Sequence, residues 1–311
     1  MTFRGPYVDG PPPEALEVDA PSLHEFRRDE WRRMVTVVSV LTVFVARALA
    51  RGGLQRLRHR AGLSGWAQVG ADGMVDALIH LGPTYVKLGQ IVASSPGLFP
   101  DLLATACRRC LDEVPPFPVA DVHRIVTEDL GAGPHEVFAS FDDVPLSAAS
   151  IGQVHACVLA DGRDAVVKLQ RPEIRDRMTT DLRISYRLAA LFERTRWGAS
   201  ANATGIIEDL HAVTFQELNP ALEAFRQSEF RSNIWAFGDN TMVTAPEIYW
   251  DHCGPQMICM ERVSGIPMDH FAELDAREID GELVLRRGAK VWTEAVLLHG
   301  WFHGDMHAGN I

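Results

Sequence analysis

Eight residues near the end of the chain carry chemistry-bearing side chains at a telling spacing: His303-Gly304-Asp305-Met306-His307-Ala308-Gly309-Asn310. The pattern H-x-D-x-x-x-x-N is that of a phosphoryl-transfer loop. Its Asp orients or deprotonates the acceptor hydroxyl, and its Asn holds a magnesium ion against the phosphates. Asp305 is therefore the candidate catalytic carboxylate and Asn310 the candidate metal ligand. The other magnesium ligand of such sites, the Asp of a D-F-G turn, occurs nowhere in the 311 residues. The expectation is a protein cut short after its catalytic loop, whose 311 residues are inactive by themselves.

A phosphate-binding lysine must then lie upstream on a β-hairpin. Ala165-Val166-Val167-Lys168 fits the V-A-I-K pattern, preceded by the turn residues Asp161-Gly162 and the alternating run Val154, Ala156, Val158. Before that hairpin, where protein kinases carry G-x-G-x-x-G, stands Pro145-Leu146-Ser147-Ala148-Ala149-Ser150-Ile151-Gly152. Small side chains at Ser147, Ala148, Ala149, Ser150 and Gly152, beside Ile151, still admit phosphates to the backbone, on a stiffer loop.

These residues, with Leu81-Gly82-Pro83-Thr84-Tyr85-Val86-Lys87-Leu88-Gly89-Gln90, resemble the UbiB-type atypical kinases linked to ubiquinone and other isoprenoid-lipid metabolism. That family has an alanine-rich nucleotide loop and a K-x-G-Q segment, and the resemblance runs over roughly residues 70 to 311. Phe99-Pro100 and Val114-Pro115-Pro116 match the stretch after K-x-G-Q. Glu217-Leu218-Asn219 lies at the family's E-x-D, and Glu223 stands where a helix glutamate pairs with the lysine. Met260-Glu261-Arg262-Val263-Ser264-Gly265 resembles the hinge between lobes. The resemblance implies ATP and Mg2+ as cofactors, with Lys168 fixed by Glu223 and adenine held by the backbone of Glu261 and Val263. It also implies a regulatory set of Lys87, Gln90, Glu217 and Asn219 laid over the site, which disfavours peptide substrates. Asn219 departs from the expected Asp, and Ser147 from an alanine.

The elements that must position these groups follow from pattern. Helices are expected over 31–60, 72–95, 101–112 and 119–130, the last opened by Pro118, with a hairpin over 146–170. Helical spacing continues from Pro172 to about Phe230, strands are expected at 242–249 and 256–260, and a helix over 282–299 leads to the catalytic loop. The fold class is α+β, a protein-kinase-like two-lobed fold with an N-terminal helical K-x-G-Q extension and an incomplete C-terminal lobe. Its expected divisions are a flexible tail (1–22, rich in proline), a basic and apolar helical segment (23–70), the K-x-G-Q extension (71–135), the small lobe with hinge (136–265) and the start of the large lobe (266–311).

A net charge of −11 argues against nucleic acid as a partner. Between Trp31 and Ala71, however, stand seven arginines and no acidic residue, and Met34 to Ala46 is thirteen residues without charge. That is short of the ~20 residues of a membrane-spanning helix. It leaves two readings, an amphipathic contact with an anionic membrane surface and a helix packed on the body. Five cysteines with a single C-x-x-C, Cys107 to Cys110, point to a reducing, cytoplasmic setting rather than to zinc or disulfides. Glycines 300, 304 and 309 break any helix that could align His299, His303 and His307 on a metal. Three functions stay open: a UbiB-like kinase or ATPase in quinone or isoprenoid-lipid metabolism, an aminoglycoside-type small-molecule phosphotransferase, and a nucleotide-binding scaffold without turnover. The K-x-G-Q segment speaks against the second.

Overall fold

The computed structural model describes residues 4–300 apart from 26, 29, 59–63, 95, 96, 98, 112–114, 197, 200 and 201, together with 302 and 304. Asp305 and Asn310 lie outside the described residues, so the catalytic-loop expectation is not reached by the geometry.

A helical layer comes first in the chain. Helix α1 (Glu30–Arg58) pairs with α2 (Ser64–Leu81), and α3 (Pro83–Ser94) and α4 (Asp101–Cys107) close the group, followed by a 3-10 turn at Arg108–Leu111. The single helix expected over 72–95 is broken. Gly82 takes a left-handed φ of +102 and Pro83 cannot continue the preceding hydrogen-bond ladder, so α3 leaves α2 at a new angle. Val37, Val75, Leu81, Tyr85, Val86 and Ile184 form the buried core of this layer.

Helix α5 (Val119–Leu130) starts after Pro118 as expected and ends at Gly131, whose φ of +77 supplies the left-handed C-cap. A short helix α6 (Pro134–Val137) leads into the sheet, formed by β1 (Ser140–Phe141), β2 (Ser147–Ala148), β3 (Gly152–Val158), β4 (Asp164–Gln170) and β5 (Met257–Glu261). Its order is β1-β3-β4-β5, with β2 also on β3, and every pairing is antiparallel. Alternation assigns the faces. Ala165, Val167 and Leu169 of β4 are buried in one core with Val122, Ile125 and Val126 of α5, so Val166, Lys168 and Gln170 point to the opposite face. In β3 the buried set is Gln153, His155 and Cys157, which leaves the alternating Val154, Ala156 and Val158 on the face of Lys168. Residues opposite one another share a face, so Ala156, Val166 and Met260 form an apolar row across three strands.

His155 can be buried because both ring nitrogens are used. Its Nδ1 lies 2.8 Å from the Asp142 carbonyl oxygen and its Nε2 2.9 Å from Gln153 Nε2. The neutral tautomer with hydrogen on Nδ1 satisfies both contacts, and burial pushes its pKa down.

The helical stretch from Pro172 resolves into α7 (Ile174–Glu193), α8 (Ala203–Glu217) and α9 (Pro220–Ala236). Asn219 makes the break between the last two. Its Oδ1 accepts from the Leu222 amide at 3.0 Å, and Pro220 takes the first helical position. The strand expected over 242–249 does not form. Only Ile248 bridges, to Met260, and the segment otherwise runs irregularly into a 3-10 turn at Trp250–His252. Helix α10 (Phe271–Ala276), unforeseen in the sequence, precedes α11 (Gly281–Glu294), which continues as a π-helical turn at Ala295–His299.

The tail expected to be flexible is laid along the body. Tyr7 and Leu23 are buried, and Ala15 and Leu16 pack on the sheet core beside a 3-10 turn at Pro13–Leu16. The carbonyls of Ala15 and Glu17 accept from the Asn219 amide at 2.9 and 3.1 Å. Pro21 accepts from His211, Asp19 from Arg175 and Ser22 from Arg183. Prolines preset the extended backbone, so the segment loses little conformational freedom on docking and its carbonyls find donors already in place.

Candidate functional site

The site grows from the end of β4. The strand register places Lys168 opposite Val154 on one side and Ile258 on the other, one row from Ala156, Val166 and Met260. Its Nζ donates to Glu223 Oε1 at 2.5 Å. Glu223 lies in the first turn of α9, and its amide bonds the Asn219 carbonyl at 3.0 Å, so the Asn219 cap fixes where the carboxylate begins. The sequence thus named two residues 55 positions apart that the fold brings into contact, each about one third exposed to solvent.

The small-residue loop closes over the same end of the sheet. Ser147 and Ala148 pair with Val154 and Gln153, and the Ala149 amide donates to the Gly152 carbonyl at 2.8 Å, drawing Ser150 and Ile151 into a tight turn. Gly152 is required there, because a Cβ would stand 2.4 Å from the Leu169 carbonyl oxygen on the facing strand. Arg171 holds the loop from beneath. Its amide donates to the Ile151 carbonyl at 2.8 Å, and its guanidinium to the carbonyls of Ala149 and Pro115 at 3.2 and 2.9 Å. Sequence reasoning missed this residue, since an arginine just beyond a strand carries no signal until the loop is folded over it. Gln170 was missed too, and its amide ties the turn at Leu218 to the sheet at 3.0 Å.

The K-x-G-Q residues reach this region in different ways. Lys87 pairs with Glu217, and Glu217 lines a cleft together with Ile151, Gly152, Lys168, Gln170 and Glu223. Gln90 does not point there. It donates to the Cys110 carbonyl at 3.0 Å, and Gly89 lies against the same cysteine, where a Cβ would be 2.5 Å from its sulfur. The C-x-x-C pair therefore serves as packing for the K-x-G-Q helix, and both cysteines are buried and outside any disulfide. Asn219 is not hydrogen-bonded to Lys87. Its side chain caps α9 and grips the N-terminal segment, and the second task needs an amide donor that the family's Asp lacks.

At the expected hinge, Glu261 ends β5. Its amide donates to the Glu247 carbonyl at 2.8 Å, and its carboxylate accepts from Arg231 at 3.1 Å. This amide is engaged within the protein, which leaves the carbonyl of Glu261 and the amide of Val263 as the groups to test against adenine. Val263 itself is exposed.

A family model described as an ABC1 atypical kinase-like domain matches residues 109–311. An uncharacterized protein of Mycobacterium tuberculosis is 40% identical over 247 residues, covering 79% of this chain and 50% of the relative. A probable protein kinase UbiB of Cellvibrio japonicus is 38% identical over 232 residues, covering 74% of this chain and 42% of the relative. The chain thus spans about half the length of the curated relatives it matches. Among solved structures, the Mycobacterium tuberculosis protein Rv3197, determined with erythromycin, is similar at a TM-score of 0.51 and 29% identity, over 74% of this chain and 56% of that one.

Proposed function

The chain belongs to the ABC1 atypical kinase-like family, with an α+β kinase-like fold and UbiB-type relatives, and from that premise we propose that it binds ATP with magnesium and transfers or hydrolyses the terminal phosphate. The observation that carries the reading is the Lys168–Glu223 pair at 2.5 Å, placed on one sheet face between a tight small-residue turn and an apolar row. The ammonium would meet the α- and β-phosphates, loop amides at 147–152 would cover the triphosphate, and adenine would lie over Ala156, Val166 and Met260 against the backbone of Glu261 and Val263. Asn310 would hold the magnesium and Asp305 would orient the acceptor or a water.

The Lys87–Glu217 contact at the rim of the cleft supports a small acceptor, since an extended peptide would have to displace it. Water or a quinone-pathway or isoprenoid-lipid molecule is the proposed acceptor class, following the UbiB relatives. Peripheral membrane contact is a second element of the reading. It rests on the outer face of α1, where Trp31, Val35, Val38 and Val43 are exposed. Helix α1 includes a stretch, Glu30–Ala50, with the length and composition to cross a bilayer, which the thirteen-residue charge-free run by itself did not suggest. Its first turns are nevertheless tied to the body, where Glu30 and Arg183 form a buried pair and Arg33 reaches Asp181 at 2.7 Å.

Magnesium-ATP titration calorimetry tests the proposal. Lys168→Ala should weaken binding by about 10- to 100-fold, the worth of a charge-assisted hydrogen bond at 1.5–3 kcal/mol. In a form of the protein as long as its relatives, Asp305→Asn should keep binding and lose turnover. Unchanged affinity in Lys168→Ala would remove the lysine assignment, and binding with no turnover in the longer parent would favour the scaffold.

A further inference from the structure

Where α5 and α6 meet the edge of the sheet at β1, three side chains from three elements converge. His123 comes from the middle of α5, His135 from α6, and Asp143 from the turn between β1 and β2. One donor atom from each lies within 4.8 Å of the other two. His123 Nε2 stands 2.6 Å from Asp143 Oδ1, and the two imidazoles sit edge to face with centroids 5.4 Å apart. Phe141 lies in T-shaped contact with both rings at 6.3 Å, so one side of the cluster rests on an aromatic wall.

We propose that His123, His135 and Asp143 form a binding site for a divalent transition-metal ion, with Zn2+ as the ligand of choice. Two imidazole nitrogens and one carboxylate oxygen are a borderline donor set, which favours zinc over magnesium or calcium. Tetrahedral zinc with bonds of about 2.0–2.2 Å takes three such ligands and keeps a fourth position for water. Its donors must then stand roughly 3.3 Å apart. The His123–Asp143 pair has to open by about 0.7 Å and His135 to close on it, and both movements are open to side chains that reach into solvent.

The position gives the ion a structural consequence. Asp143 lies four residues before Ser147, and the neighbouring Asp142 receives the buried His155 on its carbonyl at 2.8 Å. A bound ion would staple α5 and α6 to the turn that delivers the nucleotide loop. It would be separate from the magnesium of the nucleotide, which oxygen ligands hold.

Zinc titration calorimetry on the untagged, chelator-treated and dialysed 311-residue chain tests the site, beside His135→Ala, Asp143→Asn and the double variant H123A/H135A. The expected result is one zinc per chain, unaffected by excess magnesium, with each single substitution lowering affinity roughly tenfold or more and the double variant losing the site. Co2+ as a spectroscopic probe should give a visible ligand-field band without thiolate charge transfer, lost in the double variant. Circular dichroism in chelator checks that each variant is folded like the parent. Zinc affinity equal in parent and folded double variant, or a thiolate band that persists in it, would overturn the assignment.

Discussion

At Asn219 a single functional group does two jobs that its acidic counterpart could not. The side-chain oxygen caps α9, a task Asp performs equally well, while the amide nitrogen donates to the carbonyls of Ala15 and Glu17. Asn219→Asp should therefore keep the cap and turn a carboxylate toward two carbonyls. Urea unfolding is expected to show a loss of about 1–3 kcal/mol, with Asn219→Ala losing a further ~1 kcal/mol through the missing cap. Stability equal to the parent in Asn219→Asp would mean that the N-terminal segment is held without this contact. The spacing of Glu217, Asn219 and Glu223 was legible in the sequence. What Asn219 holds was not, because its partners lie some 200 residues away in a segment whose composition reads as a tail.

Among the helices, α1 separates its two faces by what each finds to bury. Val37 is fully buried, and Met34, Val40 and Leu41 are partly so, against α2 and α7. Val35, Val38 and Val43 face outward. The two readings left open by the sequence, packed helix and membrane contact, thus describe opposite sides of one helix. Arginine clusters add about 1 kcal/mol each near an anionic surface and are screened within a Debye length. We expect salt-sensitive flotation with anionic liposomes, several-fold weaker when Arg56, Arg58 and Arg60 are replaced by Gln. Equal flotation of the two forms would leave α1 as a packing helix alone. The same physics explains why 72–95 reads as one helix: apolar periodicity continues through Gly82-Pro83, and only the backbone geometry reveals the turn.

Across the whole molecule, three histidines share one electrostatic state. Burial pushes the pKa values of His155, His211 and His252 down. A depressed native value means that the unfolded chain binds more protons in the interval between the two values. Stability therefore falls as pH drops through the ordinary histidine value of about 6.5, and levels off below the native values. Asp129 contributes with the opposite sign at lower pH, since burial raises its native pKa and the folded form takes up that proton first. The thermal midpoint should be lower at pH 5.5 than at pH 7.5, by several degrees if all three histidines contribute. His155→Gln should flatten that dependence in part, and a midpoint that does not fall over the interval would show that the buried imidazoles are protonated in the folded state.

Amino-acid order alone determined the local features of this protein. The turn at Asp161-Gly162, the helix opened by Pro118, the hairpin ending in Lys168 and the small-residue loop before it all follow from preferences set within a few residues. The tertiary structure decided which distant groups meet. Lys168 and Glu223, Lys87 and Glu217, Arg171 and the small-residue loop, and His123, His135 and Asp143 each depend on strand register and helix packing rather than on spacing. A hydrogen bond needs its partners within about 3 Å. Such closeness between residues 50 or 130 positions apart is fixed only when the cores under them have formed.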